Sequence, residues 1–192
     1  MGIAEIFRFR PGGETRAAAG SLYLSIVDAA RQPHFFDSLG VPDDLDGRFE
    51  TLALHTFLVL RRLKSDPSSA AAGLSRALIE AFIADMDRSL REMGASDLGV
   101  GRRVREMAQA LYGRIKAYET ALDEAGDAPL EAALRRNLYG TLGMPRAADL
   151  AAVARYMRRQ SAALAAQPLS ELQAGRVEFV PIQEATGQEA QP

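Results

Sequence analysis

Apolar residues recur along this chain at steps of three and four, the spacing of a buried stripe on an α-helix. Ala18, Leu22, Ile26 and Ala29 mark such a stripe from Thr15 to about Arg31, where Pro33 stops it. His34 to Leu39 predicts a short helix that Gly40 caps and Pro42 ends. The next stripe is the densest: Phe49, Leu52, Thr56, Val59 and Leu63 share one face, and Leu54, Phe57, Leu58 and Leu60 make the other sides apolar too. A helix apolar nearly all round belongs at the centre of its fold. Asp43, Asp44 and Asp46 precede it, carboxylates where a helix N-terminus wants them.

Beyond a loop and cap at Asp66-Pro67-Ser68-Ser69, the pattern predicts a helix from Ala71 to Met93 with Leu74, Leu78, Phe82, Met86, Leu90 and Met93 on one inward face. Gly94 ends it, and a turn through Ser96, Asp97, Gly99 and Gly101 leads to the clearest amphipathic helix, carried by Val100, Val104, Met107, Leu111, Ile115, Tyr118 and Leu122. Gly126-Asp127 breaks the chain, and Pro129 opens a shorter helix with Leu130, Leu134 and Leu138 inward. A last long helix runs from Arg146 to Ala166, followed by one turn over 168–174 and an extended Val177 to Pro181. No segment alternates with the period of a strand. The expected fold is all-α, a single compact domain of six or seven helices without a sheet. Residues 1–14 are expected as a flexible N-terminal segment, 15–181 as the helical domain and 182–192 as a disordered tail.

Composition narrows the chemistry. With 47% apolar residues the chain has material for a core, and with no cysteine it has no disulfide, thiolate metal site or cysteine nucleophile. Two histidines, His34 and His55, exclude a histidine-rich metal cluster. A net charge of −2 argues against general nucleic-acid binding, so no DNA partner is expected. No apolar run approaches the roughly 18 residues of a membrane span, and the N-terminus lacks the order of a secretory signal. A peripheral membrane contact remains open through Phe7, Arg8, Phe9 and Arg10. Among the cations only Lys64 and Lys116 are lysines; the arginine excess fits a compositional bias and also a polar rim able to grip carboxylates and phosphates bidentately.

Each candidate site has a plainer structural reading beside it. The acids of DDLDGRFE lack the alternate ligands and the glutamate about twelve residues on that a calcium loop needs, so helix capping is preferred. His55 in an apolar helix reads first as a satisfied core residue and second as a group at a partner site; no HExxH or ExxH pattern completes a metal site around it. Asp85 lies on the edge of an apolar stripe and needs a partner, for which Arg88 is one turn away; a partner-facing acid is the alternative. Arg102, Arg103 and Arg105, Arg135 and Arg136, and Arg155, Arg158 and Arg159 form basic clusters, read as a solvated face or as contacts to RNA or anionic lipid. No GxSxG elbow or triad context supports nucleophilic catalysis. No catalytic residue, metal or cofactor is expected.

The blocks GVPDDLDGRFE, LALHTFLVLRRL, FIADMDRSLREMG, DLGVGRRVREMAQALYGR and LRRNLYG, in that order over roughly residues 20–180, resemble the ubiquinol–cytochrome c chaperone family. The resemblance implies a non-enzymatic assembly factor for ubiquinol–cytochrome c reductase that holds newly made cytochrome b or an assembly intermediate. It further implies a small partner protein and the ribosome exit region as associates, as in mitochondrial members. The chain looks like a compact bacterial form of these, working in the cytoplasm at the inner face of the membrane. Residues matching the motif and placed as polar points within apolar helices are the expected partner-binding set: Asp46, Arg48, Phe49, His55, Arg61, Asp85, Arg88, Arg102 and Tyr112. They are expected to rim a groove lined by Phe, Leu and Met. Two other readings stay open: a binding protein or enzyme for a hydrophobic ligand such as a quinone, with His55 and Asp85 in its pocket, and a ribosome- or RNA-associated adaptor.

Overall fold

The carboxylate of Asp44 accepts the backbone N–H of Gly47 at 2.8 Å and so starts the helix around which the others are arranged. In the computed structural model, which describes residues 12–94, 97–141 and 144–182, this central helix is α3, Leu45–Lys64. Before it come α1, Gly13–Ala30, and α2, Pro33–Asp37. After it come α4, Ser69–Glu92, α5, Asp97–Asp123, and α6, Ala128–Arg136. The last two are α7, Ala147–Ala166, and α8, Leu169–Gln173. Among the described residues there is no strand. Six of these helices have nine or more residues and two have five, as the expected all-α domain requires. The expected tail from residue 183 and the expected N-terminal segment up to residue 11 lie outside the described residues, and α1 starts at Gly13 rather than Thr15.

Helix α3 packs against α1, α4, α5 and α7 and divides the interior into two apolar clusters. Its Ala53, Val59, Leu60 and Leu63 join Leu22, Ile26, Leu74, Leu78, Phe82 and Leu111 on one side. Its Leu54, Phe57 and Leu58 join Tyr118, Leu134, Leu150, Val153 and Met157 on the other. Each fully buried aliphatic or aromatic side chain contributes roughly 1.5–3 kcal/mol. That sum, more than local helix propensity, holds the helices in place.

One expectation is corrected. The turn predicted through Gly99 and Gly101 is helical, because α5 begins at Asp97. Two glycines in a helix cost about 1 kcal/mol each, but Val100 between them is fully buried and fixes the turn by packing. The arginines at 102, 103 and 105 therefore stand beyond the first turn of α5, and their opposition to the helix dipole is weaker than a terminal placement implies.

The segment after α8 is extended, as expected, yet no strand receives it. Gly175, at φ +76°, lies so close to α1 that a Cβ would meet Ser21 Cβ at 2.8 Å and Ala18 Cα at 3.2 Å. Past it, two glutamines of α7 take the place of a neighbouring strand. Gln167 accepts from Glu178 N at 3.1 Å and donates to Glu178 O at 2.6 Å. Gln160, fully buried, accepts from Val180 N at 3.0 Å and donates to Val180 O. Val177 and Phe179 between these anchors pack against both apolar clusters, and Ile182 against the α7 side. Replacing Gln160 with alanine leaves both polar groups of Val180 without these partners, at a cost of about 1–3 kcal/mol. A lowered denaturant midpoint and faster proteolysis after Arg176 are expected for that variant.

Candidate functional site

Two depressions open side by side at the N-terminal half of α3. The larger, about 670 Å³, lies between α3, the N-terminal half of α5 and the turn after α6. The smaller, about 320 Å³, lies between α3, the end of α1 and the C-terminal half of α4. Leu45, Phe49, Leu90 and Met107 line both, so the two form one groove with Phe49 as the ridge between them. Met86 and Met93 add to the smaller half, and Arg103, Arg114 and Arg136 to the larger. Of the four large hydrophobics exposed among the described residues, Leu45 and Met93 belong to this groove; Met93, expected on the inward face of its helix, sits instead at the C-cap of α4, beyond the packed stripe, and is 56% exposed.

The groove's shape depends on the first turn of α3. A Cβ at Gly47 would stand 1.9 Å from the carbonyl oxygen of Pro42, so only glycine lets the helix start against that backbone. Phe49 is then held edge-on to Phe82 of α4, ring centroids 6.0 Å apart. Glu50, almost completely buried, receives the guanidinium of Arg114, whose Nε is 3.1 Å from each carboxylate oxygen. Burial holds the Glu50 carboxyl above its ordinary range against the opposing pull of Arg114. The pair clamps α3 to α5 beneath the larger depression.

The sequence-predicted residues divide between this groove and other places. Asp46 lines the larger half, Arg48 and Asp85 the smaller, and Phe49 both. Arg48 pairs with Asp43 at 2.7 Å on the surface. Asp85 accepts from the Tyr23 hydroxyl at 2.8 Å and pairs with Arg88, so it ties α1 to α4 at the rim. Burial, and then the bond to Asp85, push the Tyr23 hydroxyl well above the usual tyrosine range. Arg102 is exposed beside the larger half, 3.8 Å from Glu106. Arg61 stands elsewhere, stapling the far end of α3 to Glu119 and Asp123 of α5, with Asp123 at 2.6 Å. Tyr112 is half-buried against the α1–α4 cluster.

His55 is fully buried and lines neither depression. A carbonyl oxygen only accepts, so Nδ1–H donates to Thr51 O at 2.7 Å and Nε2 accepts the Tyr156 hydroxyl at 2.8 Å. The rings of Phe35, Tyr156 and Phe179 surround it at centroid distances of 5.4–5.7 Å. This packing leaves no ligand pocket at His55, which removes the geometry that the quinone reading required. What the sequence reading missed are Glu50 and Arg114; the rim cations Arg103 and Arg136 were read as members of the basic clusters and not as part of a groove. An acid within an otherwise apolar stripe was the available signal for Glu50; its partner is 64 residues away and carries no local mark.

A family model described as ubiquinol–cytochrome c chaperone matches residues 37–179. The chain is 27% identical over 146 residues to ubiquinol-cytochrome-c reductase complex assembly factor 1 of Xenopus laevis, an overlap of 76% of this chain and 71% of that protein. It is similar in structure to the crystal structure of the Cbp3 homologue from Brucella abortus, with a TM-score of 0.78 and 35% identity over 94% of this chain and 98% of that one.

Two outcomes follow from the geometry of α3. Alanine at Gly47 forces the first turn off Pro42 and is expected to lower stability by about 2 kcal/mol or more, read as a fall in the thermal midpoint. Burial lowers the pKa of His55 from 6.5 to about 4. Between those values the unfolded chain binds a proton that the folded one refuses, so stability is full above pH 6.5 and is lost as pH falls toward 4. Denaturant midpoints measured across that window should fall for the natural chain, and the slope should flatten in His55→Gln.

Proposed function

The chain belongs to the ubiquinol–cytochrome c chaperone family, and from that premise we propose that it is a non-enzymatic assembly factor that holds newly made cytochrome b in the groove at the N-terminal half of α3. The observation that carries this reading is the exposure of Leu45 and Met93 beside Phe49, Leu90, Met86 and Met107, an apolar strip set among charged side chains of the same groove. Apolar surface gathered in one concavity marks a site of association. Two depressions either side of Phe49 suit successive apolar side chains on one face of a helix, spaced three or four residues apart. Methionines adapt to different side-chain shapes at low cost, which is what a holder of membrane-protein segments needs.

The charged rim works against collapse. Asp46, Arg48, Asp85 and Arg103 keep the approaches to the apolar floor hydrated, so a client leaves by transfer rather than remaining in a sealed core. No nucleotide step enters this scheme. Among the described residues no helix is long and apolar enough to cross a membrane. The reading places the protein at the cytoplasmic face of the membrane that receives its client, or at the matrix face in mitochondrial relatives.

The test is made in a strain carrying the full chain. Leu45→Glu with Met93→Glu puts two carboxylates into the groove at exposed positions and is expected to reduce cytochrome b recovered by crosslinking at least tenfold, given roughly 1.5–3 kcal/mol per apolar side chain. Leu24→Glu, on the exposed face of α1 and outside the groove, should leave recovery unchanged. Deletion of the gene should lower assembled cytochrome b while its transcript stays constant. Normal complex levels in the deletion strain would sink the chaperone reading, and undiminished crosslinking in the double variant would move the site away from the groove.

A further inference from the structure

A second face of the molecule has a different character. Along α5, Arg102, Arg105, Gln109, Gly113 and Lys116 follow one another at steps of three and four and are all exposed. The C-terminal end of α6 adds Arg135 and Arg136, also exposed. Lys116 and Arg136 face each other across a shallow cleft of about 420 Å³ floored by Gly113, Ala117 and Ala132. Arg103 and Arg136 continue the series into the polar end of the groove.

Several cations elsewhere on the surface are neutralised locally: Arg48 by Asp43, Arg61 by Asp123, Lys64 by Glu119 and Arg176 by Glu171. Among the described residues, Arg103, Arg105, Lys116, Arg135 and Arg136 have no carboxylate partner. Glu106 is engaged by Arg102, and Glu124 is the one acid lining the cleft. A chain with a net charge of −2 thus gathers five cations without a carboxylate partner on two adjoining helices, whereas Arg31 and Arg155 stand singly. The small side chains between Lys116 and Arg136 leave both heads open to approach from outside.

We propose that this α5–α6 face binds the anionic phospholipid surface of a membrane. Clustered guanidinium and ammonium groups on a flat face gain from many phosphates at once, and arginine takes phosphate oxygens bidentately. RNA fits less well: the stripe has no exposed aromatic on which bases would stack, since Tyr112 is turned inward and half-buried. The contact is electrostatic and reversible, because no apolar anchor of membrane-spanning length accompanies it among the described residues. Arg103 and Arg136 belong to both surfaces, so a protein resting on this face holds the groove beside the lipid.

Flotation of the full chain with unilamellar vesicles tests the proposal. Recovery with phosphatidylcholine–phosphatidylglycerol vesicles and not with phosphatidylcholine alone is expected, with loss of most binding as salt is raised. The triple change Arg105→Gln, Lys116→Gln and Arg135→Gln avoids the groove and should reduce recovery at least fivefold. Arg105→Lys with Arg135→Lys keeps the charge and should retain it, as should Arg155→Gln, on α7. Equal recovery on neutral vesicles, absence of binding to anionic ones, or binding unaffected by the triple change would overturn the proposal. Displacement from anionic vesicles by polyuridylate at equal phosphate concentration would do so too, and would assign the face to RNA.

Discussion

Burial of α3 on both sides is the constraint on which the rest of the structure depends. Thirteen of its residues are buried, among them the polar Glu50, Thr51, His55 and Thr56. A polar group withdrawn from water is costly unless it is hydrogen-bonded. Thr51 bonds back to Arg48 O of its own helix and Thr56 Oγ1 finds no partner among the described residues, but Glu50 and His55 take theirs from other elements. Glu50 takes Arg114 from α5, His55 takes Tyr156 from α7, and at the half-exposed end Arg61 takes Glu119 and Asp123 from α5. The apolar residues bring the helices together, and these polar pairs set how far along α3 each one sits.

The groove follows from the same arrangement. The first turn of α3 extends past the body of the core, where Gly47 presses on Pro42 and Leu45 is left exposed. Helices α4 and α5 flank that turn without covering it. A site made this way is an uncovered continuation of the core, which explains its leucines, methionines and phenylalanine; charged groups stand around them, and the Glu50–Arg114 pair lies beneath the larger half. The basic face on α5 and α6 adjoins its polar end, so the apolar groove and the basic face meet at Arg103 and Arg136.

Much of the fold was legible in the sequence because its helices are stabilised by stripes of large apolar residues, and a stripe is a periodic signal. The central place of α3 could be read from leucines on every side of it, and the caps at Asp44 and Ser68 from short-range chemistry. The start of α5 could not, since local propensity at Gly99 and Gly101 points to a turn and the packing of Val100 overrides it. In the candidate site, Asp46, Arg48, Phe49 and Asp85 were identified as polar or aromatic points in a recognisable motif, and the structure brings them to one groove. His55 and Arg61 belong to the same motif but serve the interior and the far end of α3. Whether a residue of α3 faces a groove or a neighbour depends on contacts tens of residues away, as with Tyr23 to Asp85, and no local pattern encodes such a distance.

The strap of residues after α8 gives the fold an order in time. Phe179 covers one side of His55, and the side chains of Gln160 and Gln167 hold the backbone of Val180 and Glu178. A ribosome delivers the chain from its N-terminus, so α1, α3 and α4 can gather while the seam between the two apolar clusters is still uncovered. The seam closes only when the strap, which follows α8, has emerged in its turn. The chain therefore passes through an unfinished stage of its own, in which a buried histidine and two amides wait for the strap that follows α8.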